Sequence, residues 1–366
     1  MEFSNILTTT SLRVKLGLIR RCGLESPDIR RLSVEFLLSA LLTPVEVIED
    51  LVFEKRIQSN TINTGPVFLV GHWRSGTTHL HNLLSQDPQF GFSSLFHTVF
   101  PKTFFTFEVL RLKPLFSLFL PPTRPQDNVK LSFDLPQECE IGLAVMSPYS
   151  FVHGFCFPKQ IDDFFRRYIL FQELTTEELD NWKKDYLWFI QKVSLGCHNR
   201  ILVLKNPYHT ARIQILSDLF PDARFVHIYR NPYEVFHSTV NAIQKWQADM
   251  LLQKKPSTEE VENWVLRWYP LMMEAYHQQR QAIAAHRLVE LSFESLVKDP
   301  LQELEKIYLH LNLPGFSKAQ PQFVSYLENE KNYRQNTYQY APETLQKVEA
   351  AWYPWIRQWN YAPPSS

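Results

Sequence analysis

The polarity pattern changes period along the chain. The first sixty residues read as a mostly helical N-terminal segment with a break expected at Pro44. Pro66 to Gly71 (PVFLVG) is then a short, continuous apolar run closing on a glycine, the pattern of a parallel strand buried on both faces. Thr77 to Leu84 supplies helix-compatible residues until Asp87-Pro88 ends the pattern, so this stretch predicts strand, tight loop, helix. Two more such units follow. Ile201 to Lys205 (ILVLK) leads into a helix ending at Leu219, and Arg224 to Tyr229 (RFVHIY) leads into one opening at Pro232. Leu288 to Ser292 (LVELS) predicts a further strand.

Helix signals punctuate the rest. Thr175 with Glu178, and Ser257 with Glu260, have the spacing of capping boxes. After the first of them Leu179, Trp182, Tyr186, Phe189 and Val193 fall on one stripe, as core packing requires. The tail predicts a helix carrying Trp352, Trp355 and Trp359. Between about residues 90 and 158, phenylalanine and proline crowd together without a strand period, which predicts an irregular, substrate-side insertion. Its phenylalanines suit either an apolar acceptor or plain core packing. No repeat or linker is evident. The expectation is a single α/β domain over residues 1–366, with a parallel sheet flanked by helices: a helical segment at 1–60, a core at 66–310 and a C-terminal part at 311–366.

Composition narrows the chemistry. The 366 residues are 45% hydrophobic, enough for a sizeable core, and 38 basic side chains balance 38 acidic ones. No overall positive field recruits nucleic acid, so any anion site must be local. The four cysteines, Cys22, Cys139, Cys156 and Cys197, lack the paired spacing of a zinc site or a dense disulfide framework. The opening residues contain no apolar signal-peptide core, and no N-x-S/T acceptor occurs. The apolar stretch Phe36 to Val45 falls well short of the roughly 20 residues a membrane span needs. Together these predict a cytoplasmic protein without a transmembrane segment.

Gly71 to Thr78 (GHWRSGTT) has P-loop spacing, in which backbone amides at a helix N-terminus cradle a phosphate. A nucleotide-hydrolysing loop places lysine after its second glycine, where this chain has Thr77; the cation lies inside the loop instead, at Arg74. The strand ends Lys205-Asn206 and Arg230-Asn231 offer no aspartate to hold magnesium. The loop therefore suits a phosphate ester that carries no metal.

At these residues a resemblance becomes specific. RSGTT after a strand resembles the 5′-phosphosulfate loop of the sulfotransferase family, and YRNPYEVFHS, Tyr229 to Ser238, resembles its 3′-phosphate element, with Arg230 and Ser238 in the matching positions. The intervening LKNPYHTARIQILSDLFPDARFVHIYR is similar to the lysine-bearing strand and LFPDA turn of the broad branch that includes bacterial and tyrosyl-protein sulfotransferases. The likeness is good from Pro66 to Ser238 and looser elsewhere.

The resemblance implies in-line, metal-independent transfer of a sulfuryl group from 3′-phosphoadenosine-5′-phosphosulfate to a hydroxyl on a small or lipid-like acceptor. It puts Arg74, Ser75, Gly76, Thr77 and Thr78 on the 5′-phosphate and Lys205 at the bridging oxygen. Lys331 and Arg334, in KNYRQNTY, fall in a loop that closes over the adenosine bisphosphate. The base stays open among Glu138, on what reads as an apolar helix begun by Pro136, His209 after the strand lysine, and His97. Two other functions compete: a P-loop kinase or NTPase, and a nucleotide-binding protein without transfer activity.

Overall fold

The apolar runs become strands of one sheet. The computed structural model describes residues 6–25, 28–62, 64–123, 131–248, 250–329 and 341–364. In chain order it begins with α1 (Leu12–Cys22), α2 (Ile29–Gln58), β1 (Val67–Val70), α3 (Thr77–Leu84) and β2 (Phe90–Gly91). Next come α4 (Leu95–Val99), α5 (Phe104–Val109), α6 (Lys113–Ser117), α7 (Cys139–Met146), α8 (Ile161–Tyr168) and α9 (Thr176–Gly196). The chain continues with β3 (Ile201–Lys205), α10 (Ile213–Leu219), β4 (Arg224–Tyr229), α11 (Pro232–Ala248), α12 (Thr258–Gln279) and β5 (Leu288–Ser292). It closes with α13 (Phe293–Lys298), α14 (Pro300–His310), α15 (Phe316–Asn329) and α16 (Pro342–Gln358). Two compact units result: Met1–Asn63, Gly91–Arg200 and Lys245–Pro256 in one, Thr64–Phe90, Ile201–Gln244 and Ser257–Ser366 in the other.

The second unit carries the sheet, in the order β2-β3-β1-β4-β5, with β1 parallel to both β3 and β4, and β4 parallel to β5. Alternation sends Val67 and Leu69 to one face, where they join Val203, Ile228 and Leu80 and Leu84 of α3 in a core completed by Leu304 and Ile307. On the other face Phe68 stacks on Phe225 at 5.6 Å and meets Phe220 at 5.7 Å. Both faces are covered, which is why these strands read as unbroken apolar runs. The C-terminal helix is pinned to α12, where Trp352 stacks on Tyr269 at 3.9 Å and its indole N–H donates to the Leu266 carbonyl.

The first unit is helical. Both predicted capping boxes form, Thr175 with Glu178 here and Ser257 with Glu260 in the second unit. The α9 stripe buries Trp182, Tyr186, Phe189 and Val193, with Leu179 half-buried. One expectation is corrected. Pro44 does not break the helix: α2 runs from Ile29 to Gln58, and the division falls between Gly23, the positive-φ residue after α1, and the Asp28 cap. Buried contacts fasten α2 on both sides of the proline, from Lys15 to Ser39 before it and from Lys192 to Glu49 after it. Among the described residues of 90–158 the elements are β2 and the short helices α4 to α7. Helices of five to eight residues are too short to show a 3.6-residue period. The phenylalanines there pack on one another, Phe96, Phe100, Phe104, Phe107 and Phe133 forming one buried cluster. Among the described residues no helix is long and apolar enough to cross a membrane.

Candidate active site

Because β3, β1 and β4 are adjacent and parallel, their C-terminal ends share one edge of the sheet, the edge at which open parallel sheets bind ligands. β1 delivers the loop that begins at Gly71, β3 ends on Lys205, and β4 is followed by Arg230.

The loop is held by its backbone. Gly71 has φ 147°, and its N–H donates to the Thr210 hydroxyl at 2.8 Å. Its backbone lies so near the Ile228 carbonyl that a Cβ would overlap the oxygen. Arg74 holds the left-handed region at φ 68°, uncommon for a side chain other than glycine, and the Ser75 amide closes a turn on the His72 carbonyl at 3.1 Å. Gly76, φ 94°, caps α3 against the Phe293 ring. The Leu80 amide reaches back to the Gly76 carbonyl, so the amides of Thr77, Thr78 and His79 lie in the first turn, where no carbonyl of the helix can serve them, the arrangement that binds anions. Gly71→Ala is expected to destabilise the protein by about 3 kcal/mol, since overpacking against backbone adds to strained φ. A thermal melt matching wild type would contradict this account of the loop.

The cations meet here. Lys205, almost wholly buried, donates from Nζ to the Thr78 hydroxyl at 3.3 Å. Arg230 is bound through Nε to Glu234 Oε2 at 2.8 Å, with a second bond from Nη2, and donates from Nη1 to the Arg74 carbonyl at 3.3 Å. Its guanidinium lies over the Phe293 ring at 4.6 Å. The Arg74 side chain leaves the loop and donates from Nε to the Ser238 hydroxyl at 2.9 Å. Arg74, Arg230 and Ser238, far apart in sequence, thus form one cluster beside the start of α3. With Lys205 it makes a positive edge, in which Arg230 is paired with Glu234, that suits an anion with more than one negative group.

Three histidines adjoin the site, neutral and enclosed. Burial pushes His72 down to about 3 and, with the nearby Lys205 charge adding to burial, His81 also to about 3. His209 lies in the 3₁₀ turn Pro207–Ala211. Burial, and then the Arg212 charge, hold its pKa well below the usual range. The Asn206 amide nitrogen lies 3.1 Å from its Nε2 and Arg212 Nη1 lies 3.4 Å from its Nδ1, so both ring nitrogens face donors.

The remaining candidates stand apart in the chain. Glu138 belongs to the first unit and is not within a helix: it is the half-buried cap residue of α7, which begins one position later, and its side chain makes no capping bond. Pro136 instead forms an isolated bridge with Ser94, which delays the helix. His97, in the same unit, is occupied in a capping box with Ser94, its Nδ1 accepting from the Ser94 amide at 3.3 Å. Lys331 and Arg334 lie outside the described residues. Sequence reasoning missed Thr210, Glu234 and Phe293. Of these only Glu234 carried a signal, its i, i+4 spacing from Arg230.

Comparison with known proteins follows the same lines. A model of the sulfotransferase family matches residues 66–123 and 158–318. The chain is 31% identical over 318 residues to the omega-hydroxy-beta-dihydromenaquinone-9 sulfotransferase of Mycobacterium bovis, covering 86% of this chain and 79% of that protein. The protein of that name in Mycobacterium tuberculosis matches equally. Among solved structures, a sulfotransferase from Mycobacterium avium superposes with TM-score 0.69 at 15% identity, covering 98% of each chain. Another, from Mycobacterium tuberculosis, gives TM-score 0.68 at 19% identity over 92% of this chain and 89% of that one. At such identities the two structures speak for the fold.

Proposed function

The chain belongs to the sulfotransferase family and is a sulfotransferase, and from that premise we propose that it takes its sulfuryl group from 3′-phosphoadenosine-5′-phosphosulfate and transfers it in line to a hydroxyl. The observation that carries this reading is the shared strand edge, where the loop after β1, Lys205 and the Arg74–Arg230–Ser238 cluster meet. A donor with a 5′-phosphosulfate and a separate 3′-phosphate needs two anion sites, and this edge supplies cations for both. The loop amides, Thr77 and Thr78 suit the 5′-phosphate, which is the leaving group. Lys205 suits the bridging oxygen, where negative charge grows as the S–O bond breaks. Arg230 and Ser238 suit the 3′-phosphate, with Arg74 tying that pair to the loop.

In-line transfer needs little from the protein beyond placement and charge stabilisation. The acceptor hydroxyl still loses a proton. Glu138, His209 and His97 are the candidate bases, and Glu138 is the one put to the test first. For the acceptor, the relative's name supports a large apolar alcohol of the kind it specifies. The packed phenylalanines of residues 90–158 do not bear on that choice, because they fill a core.

The test is transfer of labelled sulfate from this donor to a panel of hydroxyl compounds, together with titration of adenosine 3′,5′-bisphosphate. Binding is expected to be unchanged by EDTA. Glu138→Gln should lower kcat by about 10²-fold while bisphosphate binding survives. Absence of bisphosphate binding would overturn the donor, and a fully active Glu138→Gln would overturn the base.

A further inference from the structure

α2 buries its acids and exposes apolar side chains where a helix surrounded by water would expose charge. Its five carboxylates turn inward, with Glu35 and Glu49 buried and Glu46, Asp50 and Glu54 half-buried. They meet polar partners of the same unit. Glu49 accepts from Lys192 Nζ and from the amides of Phe105 and Thr106, Asp50 from Lys102 Nζ at 2.9 Å, and Glu54 from the Trp188 indole at 2.8 Å. The outward face is the reverse. From Val34 to Val52 every exposed position is apolar, with Leu37, Leu41, Ile48, Leu51 and Val52 55% to 82% exposed. That strip runs for about 27 Å at the helical rise. Exposed charges return only at its ends, as Arg30 on one side and Lys55 and Arg56 on the other. The acid at the start of the helix, Asp28, is engaged with the Arg30 and Arg31 amides.

We infer that this face rests on an anionic lipid surface, with the axis of α2 lying in the plane of the headgroups. Water solvates carboxylates and excludes apolar side chains, so a helix that hides five acids and shows an uncharged apolar strip is patterned for an apolar surrounding. The cations at both ends complement anionic headgroups, the charge arrangement of an interfacial helix. No helix among the described residues can cross a bilayer, so α2 lies along the surface. A second copy of the chain is the poorer occupant: with both ends of the strip basic, either orientation of two paired strips sets like charges together.

The test is co-sedimentation of the full chain with vesicles of phosphatidylcholine alone and with vesicles in which part of it is replaced by phosphatidylglycerol. Binding is expected to favour the anionic vesicles. Leu41→Glu with Ile48→Glu should weaken it by more than about tenfold, the worth of one buried leucine side chain. Arg30→Gln, Lys55→Gln and Arg56→Gln together should weaken only the anionic preference, by about fivefold per cation. All five positions are exposed, so the variants should melt like wild type. The proposal is overturned if the wild-type chain stays in solution with anionic vesicles, or if the glutamate variant sediments as wild type does. It is equally overturned if that variant turns a dimer into a monomer, by light scattering, without altering sedimentation. Sedimentation reads binding and not turnover, so the result is independent of the donor assigned above.

Discussion

Lys205→Ala is expected to lower kcat by about a thousandfold with little change in the KM for the sulfuryl donor. The register of β3 against β1 sets Lys205 opposite Leu69, at the strand end beside the loop, and its side chain is almost sealed from solvent. A cation there acts through a low dielectric on charge that grows only as the leaving oxygen departs. Losing one such preorganised donor costs about 10² to 10³ in rate, and a fixed charge belongs at the upper end. Arg230→Ala supplies the contrast. On the proposed reading Arg230 meets a phosphate that is the same before and after transfer, so its loss should raise the donor KM about tenfold to a hundredfold and leave kcat nearly unchanged. Part of that rise would come from the loop itself, since Arg230 also holds the Arg74 carbonyl. Steady-state kinetics on variants checked by circular dichroism decide it. A Lys205→Ala enzyme with wild-type kcat, beside an Arg230→Ala enzyme that loses kcat at constant KM, would reverse the two assignments.

What could be seen in the sequence is what depends on neighbours in the chain. The strands at 201–205, 224–229 and 288–292 and the helix at 77–84 have the bounds their apolar runs predict, and the capping boxes at Thr175 and Ser257 form. What could not be seen depends on partners far away. The Arg74–Ser238 bond joins residues 164 positions apart, and nothing in either segment announces it. Pro44 looked like a break because propensity is local, whereas the buried lysines that fasten α2 on both sides of it come from α1 and α9. Glu138 looked embedded in a helix because the residues after it are apolar, yet the bridge at Pro136 postpones the helix and leaves it at the cap. α2 is the clearest case. Its sequence spreads aliphatics around the whole helix, so it does not tell that the acids turn inward, and a net charge of zero hides a strip with basic ends.

Acid should destabilise the protein well above the range in which carboxylates ordinarily titrate. His72 and His81 are buried and neutral, each with a pKa near 3 in the folded state, whereas the unfolded chain takes up protons at about 6.5. A pKa lowered by folding means that the unfolded state binds more protons, so stability is full above about pH 6.5 and is lost as the pH falls toward 3. At pH 5 the loss is about 2 kcal/mol for each histidine, hence about 4 kcal/mol for the pair. His209 and His153, both lowered by burial, act in the same direction, while Glu35 and Glu46, raised by burial, oppose it. One variant isolates a single contribution. His81 lies on α3 directly after the loop, and its Nε2 sits 3.2 Å from the Val203 carbonyl, a bond a glutamine amide can replace without titrating. Urea unfolding of wild type and His81→Gln at pH 7.5 and pH 5 should therefore give curves whose separation changes by about 2 kcal/mol between the two pH values. If that separation is the same at both, His81 is not held neutral by the fold, and the account of a histidine desolvated beside the Lys205 charge fails with it.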